Sequence, residues 1–182
     1  MDWSNPTLSG DVVLLRPFGE EDVEPAWEMI NDPIGNDLTN TRETFQFEQI
    51  RDWYLSRNDA VERFDLAVIE RATGEFAGEV VLNEFDSGKR SCSFRISLRG
   101  PDFFGRGLGT EATALMVGYG FEELGLERIT LEVLARNPRA RRVYEKVGFV
   151  VTSEVVEDGE AWVHMARDRK ERGEELSGAP VK

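Results

Sequence analysis

The sequence holds one cysteine, Cys92, and one histidine, His164, in 182 residues. A lone cysteine excludes an internal disulfide and any thiolate cluster around a metal. Set in a strand-like run, Cys92 reads as a small buried hydrophobe rather than an acyl-carrying nucleophile. His164 alternates with Val163 and Met165; it supports neither a triad nor a metal site and reads as structural. Long apolar runs are missing too. No stretch approaches the roughly 20 residues needed to cross a bilayer. Nothing near Met1 has the n-region, h-region and cleavage site of a secretory leader, so the expectation is a soluble, cytoplasmic chain with no membrane partner. Basic charge is scarce: 22 Lys and Arg stand against 35 Asp and Glu, a formal net charge of −13. That field argues against nucleic acid as a partner and suits an amine or other cation as substrate. Acidity of this size also serves solubility, so charge supports a functional reading without starting one.

What is present fits one core. Hydrophobic residues make up 40% of the chain, and the length suits a single domain, read here as residues 8–168. Residues 1–9 read as a loose lead-in and residues 169–182 as a flexible C-terminal tail. Val12 to Arg16 is a short strand stopped by Pro17, and Glu20 to Ile30 follows with apolar residues at helical spacing. Asn31 to Thr44 is polar, with Pro33 and Gly35 as breakers, and reads as a flexible loop before a second helix over 47–55. Strands are expected at 64–70, 76–83 and 91–98, separated by Ala72-Thr73-Gly74 and Asp86-Ser87-Gly88. A long helix over 107–124 ends at Gly125, and Ile129, Leu131 and Val133 mark a fifth strand. Asn137 is a favoured N-cap with Pro138 at N1; Ala140, Val143, Tyr144 and Val147 follow at helical spacing, and Gly148 ends the helix. Strands at 150–156 and 161–166 close the chain as a hairpin across Glu157-Asp158-Gly159.

Two segments carry chemistry. Phe104-Gly105-Arg106-Gly107-Leu108-Gly109-Thr110-Glu111 lies between a strand end and a helix start, where bare backbone N–H groups and the helix N-terminus suit a pyrophosphate. It is not GxGxxG, because Thr110 stands where the last Gly belongs, and no Gly-Lys-Ser/Thr follows to make a Walker loop. A sharp turn remains the bland alternative. The second segment, Asn137-Pro138-Arg139-Ala140-Arg141-Arg142-Val143-Tyr144-Glu145-Lys146-Val147-Gly148-Phe149, follows the fifth strand.

In that order and spacing the two segments resemble the R/Q-x-x-G-x-G/A loop and the N-x-x-A/S-x-x-x-Y-x-x-x-G-F helix of the GNAT acetyltransferases. Phe104 departs from the Arg or Gln usual at the loop's first position. The likeness spans roughly residues 8–166, and Leu14-Leu15-Arg16-Pro17-Phe18 with Glu21, Asp22 and Trp27 is similar to the opening of the RimJ/RimL-like branch. The resemblance implies an α/β (α+β) fold with a mostly antiparallel twisted sheet of about seven strands and about four flanking helices. A V-shaped split, opened by a bulge and diverging strands, would separate the fourth and fifth strands. It implies acetyl-CoA as co-substrate and no metal. Gly105, Arg106, Gly107, Leu108, Gly109 and Thr110 would bind its pyrophosphate, and Ile96, Ser97 and Leu98 would pair with pantetheine like an added strand. Asn137 would hydrogen-bond the pantetheine arm, and Tyr144 would protonate the departing thiolate; its alternative is an ordinary core aromatic.

Attack on a thioester needs a neutral amine, and an alkylammonium has a pKa of about 10, so a base or water must take a proton. Glu132, in Leu131-Glu132-Val133, resembles the catalytic glutamate of ribosomal-protein alanine acetyltransferases; a solvated strand glutamate is the alternative. Glu79, Glu84 and Asp86 are reserves. Arg99, Arg106, Arg136, Arg139, Arg141 and Arg142 flank the motifs and would make the cofactor side positive, with Arg142 placed among the cofactor-binding residues; each taken singly also suits a surface salt bridge. Trp53, Tyr54 and Trp162 could line the acceptor pocket or pack the core, and the 31–44 loop is expected to touch the acceptor. The acceptor is either a protein N-terminus or a small amine. A homodimer is common in similar proteins. The competing class is a non-catalytic module that senses CoA or acyl-CoA.

Overall fold

The computed structural model describes residues 2–169. Strands β1 (Leu8–Ser9) and β2 (Val13–Arg16) lead to helices α1 (Val23–Ile30), α2 (Pro33–Thr39) and α3 (Phe47–Arg57). Strands β3 (Phe64–Glu70), β4 (Phe76–Asp86) and β5 (Ser91–Leu98) precede α4 (Leu108–Glu122), β6 (Arg128–Leu134), α5 (Pro138–Lys146), β7 (Val150–Glu157) and β8 (Glu160–Asp168). Short 3-10 turns occupy Glu20–Asp22 and Pro101–Phe103. The strands form one eight-stranded sheet in the order β1-β2-β3-β4-β5-β6-β8-β7. Every neighbouring pair is antiparallel except β5 and β6. Among the described residues no helix is long and apolar enough to cross a membrane.

The sheet divides the apolar residues into two layers because strand side chains alternate between faces. Phe64, Leu66 and Val68 of β3, Val80 and Leu82 of β4, and Ile129, Leu131 and Val133 of β6 meet Leu108, Ala112, Met116 and Val117 of α4 and Tyr144 of α5. Ala67, Ile69 and Phe76 meet Ala26 and Met29 of α1 and Ile50 and Tyr54 of α3 on the other face. Continuous burial of β3 along its length follows from coverage on both sides.

Several expectations need correction. Among the described residues the sheet has eight strands rather than about seven, because Leu8–Ser9 pairs with Leu14 and Leu15; two residues carry no periodic signal. The lead-in is anchored, since the Trp3 ring lies 5.4 Å from Phe64 and 5.1 Å from Phe85. The described residues form five α-helices rather than about four, because Pro33–Thr39, read as loop, is helical. Its supposed breakers are start signals: Asp32 caps the helix by accepting from Gly35 N–H at 2.7 Å, and Pro33 occupies the first turn. Asn40 ends it in the left-handed region at φ 55°. Of the expected tail, Arg169 is tied through its N–H to the Glu127 carbonyl; residues 170–182 lie outside the described residues.

Candidate functional site

The split lies between β5 and β6, the fourth and fifth strands expected from the sequence. Only Ser91, Cys92 and Ser93 pair with Arg128, Ile129 and Thr130. Beyond them, Phe94 to Leu98 stay on β4 and Leu131 to Leu134 on β8. No bulge in β5 opens the gap, contrary to expectation. The register shifts fall in β4, around Ala77 and at Glu84 and Phe85. Near the open end β4 and β5 approach closely at Gly78, φ 156°, where a Cβ would collide with the Ser97 carbonyl oxygen.

Because β5 and β6 are parallel, their C-terminal ends point the same way, and each is followed by a helix. The N-termini of α4 and α5 therefore converge on the open end of the split, each adding partial positive charge and N–H groups without intrahelical partners. At α4, Gly105 (φ 70°) and Gly107 (φ 81°) need the left-handed region, and a Cβ on either would meet no protein atom within 4 Å. The backbone there faces open space, as a cradle for an anion requires. Leu108 is 1% exposed and anchors the helix in the core, so only its backbone can take part. Gly109 sits above β5, with its Cβ position 3.4 Å from Leu98 Cδ1 and 4.0 Å from Ile96 Cδ1. Thr110 completes the first turn and is half-buried.

Asn137 caps α5 as its sequence context suggests, and the Arg106 side chain is held away from the glycines. The Arg106 guanidinium is engaged by Glu70 and by the Asp102 carbonyl, which leaves its backbone to the cradle. Asn137 is the N-cap of α5: its Oδ1 accepts from Ala140 N–H at 3.2 Å, leaving its amide N–H groups for any ligand. Arg142 is exposed.

Tyr144 projects from α5 into the core beside the split, 7% exposed, with its ring edge-on to Phe94 at 6.3 Å and to Phe149 at 6.1 Å. Burial pushes its hydroxyl up to about 12, opposed by nearby Arg139. The group is therefore a neutral phenol across the physiological range. Glu132 occupies the opposite face of β6, because Leu131 and Val133 point into the α4/α5 layer. Its Cα partner on β8 is His164, whose Nε2 lies 3.7 Å from Glu132 Oε1. Sequence reading missed this pairing, since it depends on β8 rather than β7 lying beside β6.

Of the reserve carboxylates, Glu84 and Asp86 lie at the closed end, where β4 meets Ser91. Asp86 caps its own turn by accepting from Lys89 N–H, which holds its carboxyl below the usual range. Glu79 sits opposite Ser97 near the open end and is buried. Desolvation raises its carboxyl, against the pull of Tyr54 and Arg95, and its Oε2 has no hydrogen-bond partner. The signal for it was a lone acid in the apolar run Phe76 to Leu82. Cys92 is 3% exposed and burial pushes its thiol to about 12, so it packs as expected. Tyr54 is a core residue against Phe18 at 4.5 Å, Trp53 lies under Arg57 at 4.8 Å, and Trp162 is half-buried on β8 opposite Leu134. Helix α2, in the segment expected to touch the acceptor, is tied to the turn before α5 by Asp37 and Arg136 at 2.8 Å. Among the described residues no group of three or more His, Cys, Asp or Glu side chains could hold a metal.

Comparison with known proteins places this geometry. Residues 13–150 match the family model described as the acetyltransferase (GNAT) domain. The chain is 31% identical over 156 residues to the spermidine N(1)-acetyltransferase of Escherichia coli K12, covering 82% of this chain and 79% of that protein. An acetyltransferase of the same family from Bacillus anthracis superposes with a TM-score of 0.78 at 21% identity, covering 90% of this chain and 98% of the other. The spermidine N-acetyltransferase of Vibrio cholerae, solved with CoA and spermine, gives a TM-score of 0.78 at 22% identity, covering 87% and 96%.

Proposed function

The chain belongs to the GNAT acetyltransferase family and is an acetyl-CoA-dependent N-acetyltransferase; on that premise we propose that it acetylates a primary amine of a small polycationic acceptor by direct attack in a ternary complex. The observation that carries the mechanism is the placement of Glu132 and Tyr144. They belong to opposite faces of the sheet, Glu132 on β6 beyond its last pairing with β5 and Tyr144 on α5 against Phe94 of β5.

When bound, acetyl-CoA supplies a thioester: the amine nitrogen bonds to the carbonyl carbon, the carbon–sulfur bond breaks, and sulfur leaves with the electron pair. The residues of the chain then have separate tasks. The cradle from Gly105 to Thr110 holds the pyrophosphate by backbone N–H groups, with Arg142 near the entrance. The free edge of β5 at Ile96, Ser97 and Leu98 offers backbone groups to the pantetheine amides, and the Asn137 amide adds a side-chain donor. Glu132 accepts the ammonium proton from the outer face. Tyr144 gives its proton to sulfur from the core face and recovers one from solvent. A positive cradle beside an acidic body separates the two substrates electrostatically: anionic cofactor at the helix N-termini, cationic acceptor under α2 and along the Glu132 face.

The acceptor class is supported by the net charge of −13 and by the relatives named for spermidine. Membership in the RimJ/RimL-like branch, with a protein N-terminus as acceptor, is the second reading, supported by the opening at Leu14 to Phe18. A cytoplasmic location fits the lone cysteine. A homodimer fits the exposed apolar edge of β7, where Val150 is 64% and Val156 74% exposed. The test is thiol release from acetyl-CoA with spermidine, spermine, simple amines and N-terminal peptides, run beside calorimetric CoA binding. Turnover with polyamines is expected. Turnover with peptides alone would shift the acceptor to protein N-termini, and tight binding with no turnover would make the protein a sensor.

A further inference from the structure

The arginines around the two motifs are not equivalent. Arg99 is paired with Glu28, Arg106 with Glu70, Arg136 with Asp37 and Glu160, and Arg141 with Glu145. Each spends its charge inside the protein. Arg139 and Arg142 have no carboxylate within ion-pair distance among the described residues, and of these only Arg139 is half-buried. Its guanidinium carbon lies 3.2 Å from the centre of the Phe104 ring.

Phe104 immediately precedes the cradle glycines and has no hydrogen-bonding group, so the first side chain of the loop cannot hold an anion. It can hold a cation. Stacking occupies one face of the guanidinium, while its five N–H donors lie in the plane and remain free at the edge. A cation taken partly out of water without a counter-charge is costly, and the stacking contact returns only part of that cost. Burial accordingly weakens the hold of Arg139 on its proton. The missing counter-charge belongs beside the cradle, where Arg139, in the first turn of α5, meets the loop that starts α4.

We propose that Arg139, held face-on by Phe104, is a pyrophosphate ligand of the acetyl-CoA site, with Phe104 as its positioning residue. The assignment rests on the reading that the β5–β6 split takes acetyl-CoA. Arg139 supplies a planar fork of donors from α5 to complement the backbone donors of α4, so that the phosphates are gripped from both helices. Phe104 sets the plane of that fork. Lysine at 139 would keep the charge but lose both the stacking and the fork.

Calorimetric binding of CoA, and of dephospho-CoA lacking the 3′-phosphate, to the wild type and to Arg139→Met, Arg139→Lys and Phe104→Leu tests this. Arg139→Met is expected to weaken both ligands by the same factor, about tenfold to a hundredfold, with a flatter salt dependence. The ligand-free Tm should stay within about 2 °C, since a stacked, half-buried side chain with no ion pair adds little to the fold. Arg139→Lys should recover only part of the loss and serves as the readout if the methionine variant folds poorly. Phe104→Leu should weaken binding less, and adding it to Arg139→Met should change nothing further, because Phe104 acts through Arg139. CoA binding by Arg139→Met within twofold of wild type would overturn the assignment. A loss confined to CoA and absent with dephospho-CoA would overturn it too, since the contact would then be to the 3′-phosphate. Failure of the wild type to bind CoA at all would instead sink the reading of the split.

Discussion

His164 Nε2 lies 3.7 Å from Glu132 Oε1, and the two residues are Cα partners across β6 and β8. The carboxylate proposed to take the amine proton thus has an imidazole neighbour and is 62% exposed, open to solvent for proton return. Glu132→Gln should lower kcat by tenfold or more near pH 7 with a primary amine acceptor. The deficit should narrow toward pH 10, where about half of an alkylamine is already neutral. Parallel pH–rate profiles for wild type and variant would pass the role to Glu79 or to water.

The cradle can be tested with opposite effects on folding and binding. Gly109 lies in the first turn of α4, and its Cβ position has only van der Waals contact with Leu98. Aspartate there faces the helix N-terminus favourably, so Gly109→Asp should leave stability within about 1 kcal/mol of wild type. The same carboxylate should repel pyrophosphate and weaken acetyl-CoA binding by at least about tenfold. Normal binding, or an unfolded variant, would contradict the cradle.

Sequence legibility followed locality. The punctuation of α5, with Asn137 at the N-cap, Pro138 after it and Gly148 beyond its end, depends on neighbouring residues and is readable, whereas the split follows only from the family resemblance that the two motifs carry. Helix α2 escapes the sequence reading because Pro33 and Gly35, which break a helix in its interior, sit here in its first turn, and a seven-residue segment with no buried residue offers no apolar stripe to show it. The relationships that matter most chemically are not local. The Glu132–His164 pair needs β8 to be inserted between β6 and β7, and the Arg139–Phe104 stack joins motifs on different helices. Asn137 serves the helix through its oxygen, which accepts from Ala140 N–H, so any contact with pantetheine falls to its amide N–H groups.

Glu111 fixes the cradle helix to the start of the sheet. Its carboxylate accepts from the N–H groups of Asp11, Val12 and Val13 at 2.8, 2.7 and 2.8 Å. Burial alone would raise this carboxyl, but the three donors and Arg71 outweigh it and hold it below the ordinary range. A depressed folded-state pKa contributes stability that is present above the unfolded value, about 4.3, and is lost as pH falls through the folded one. Glu111→Gln should therefore lower Tm by about 2–8 °C at pH 7, and thermal melts should bring the two proteins together as pH falls through the depressed folded-state value of Glu111. A constant gap across that range would remove the ionised carboxylate from the account.

Tyr144 is proposed to deliver a proton to the departing sulfur. A thiol has a pKa of about 8.5, so the thiolate leaves adequately alone and the proton donor should help by a moderate factor. Tyr144→Phe keeps the ring against Phe94 and Phe149 and deletes only the hydroxyl. The decisive measurement is single-turnover acetyl transfer to saturating amine, with the acetyl-CoA dissociation constant measured on the same preparation. The account predicts a rate for the chemical step about tenfold to a thousandfold below wild type and a dissociation constant within about threefold. A wild-type rate under these conditions would contradict it and leave Tyr144 a packing residue of α5.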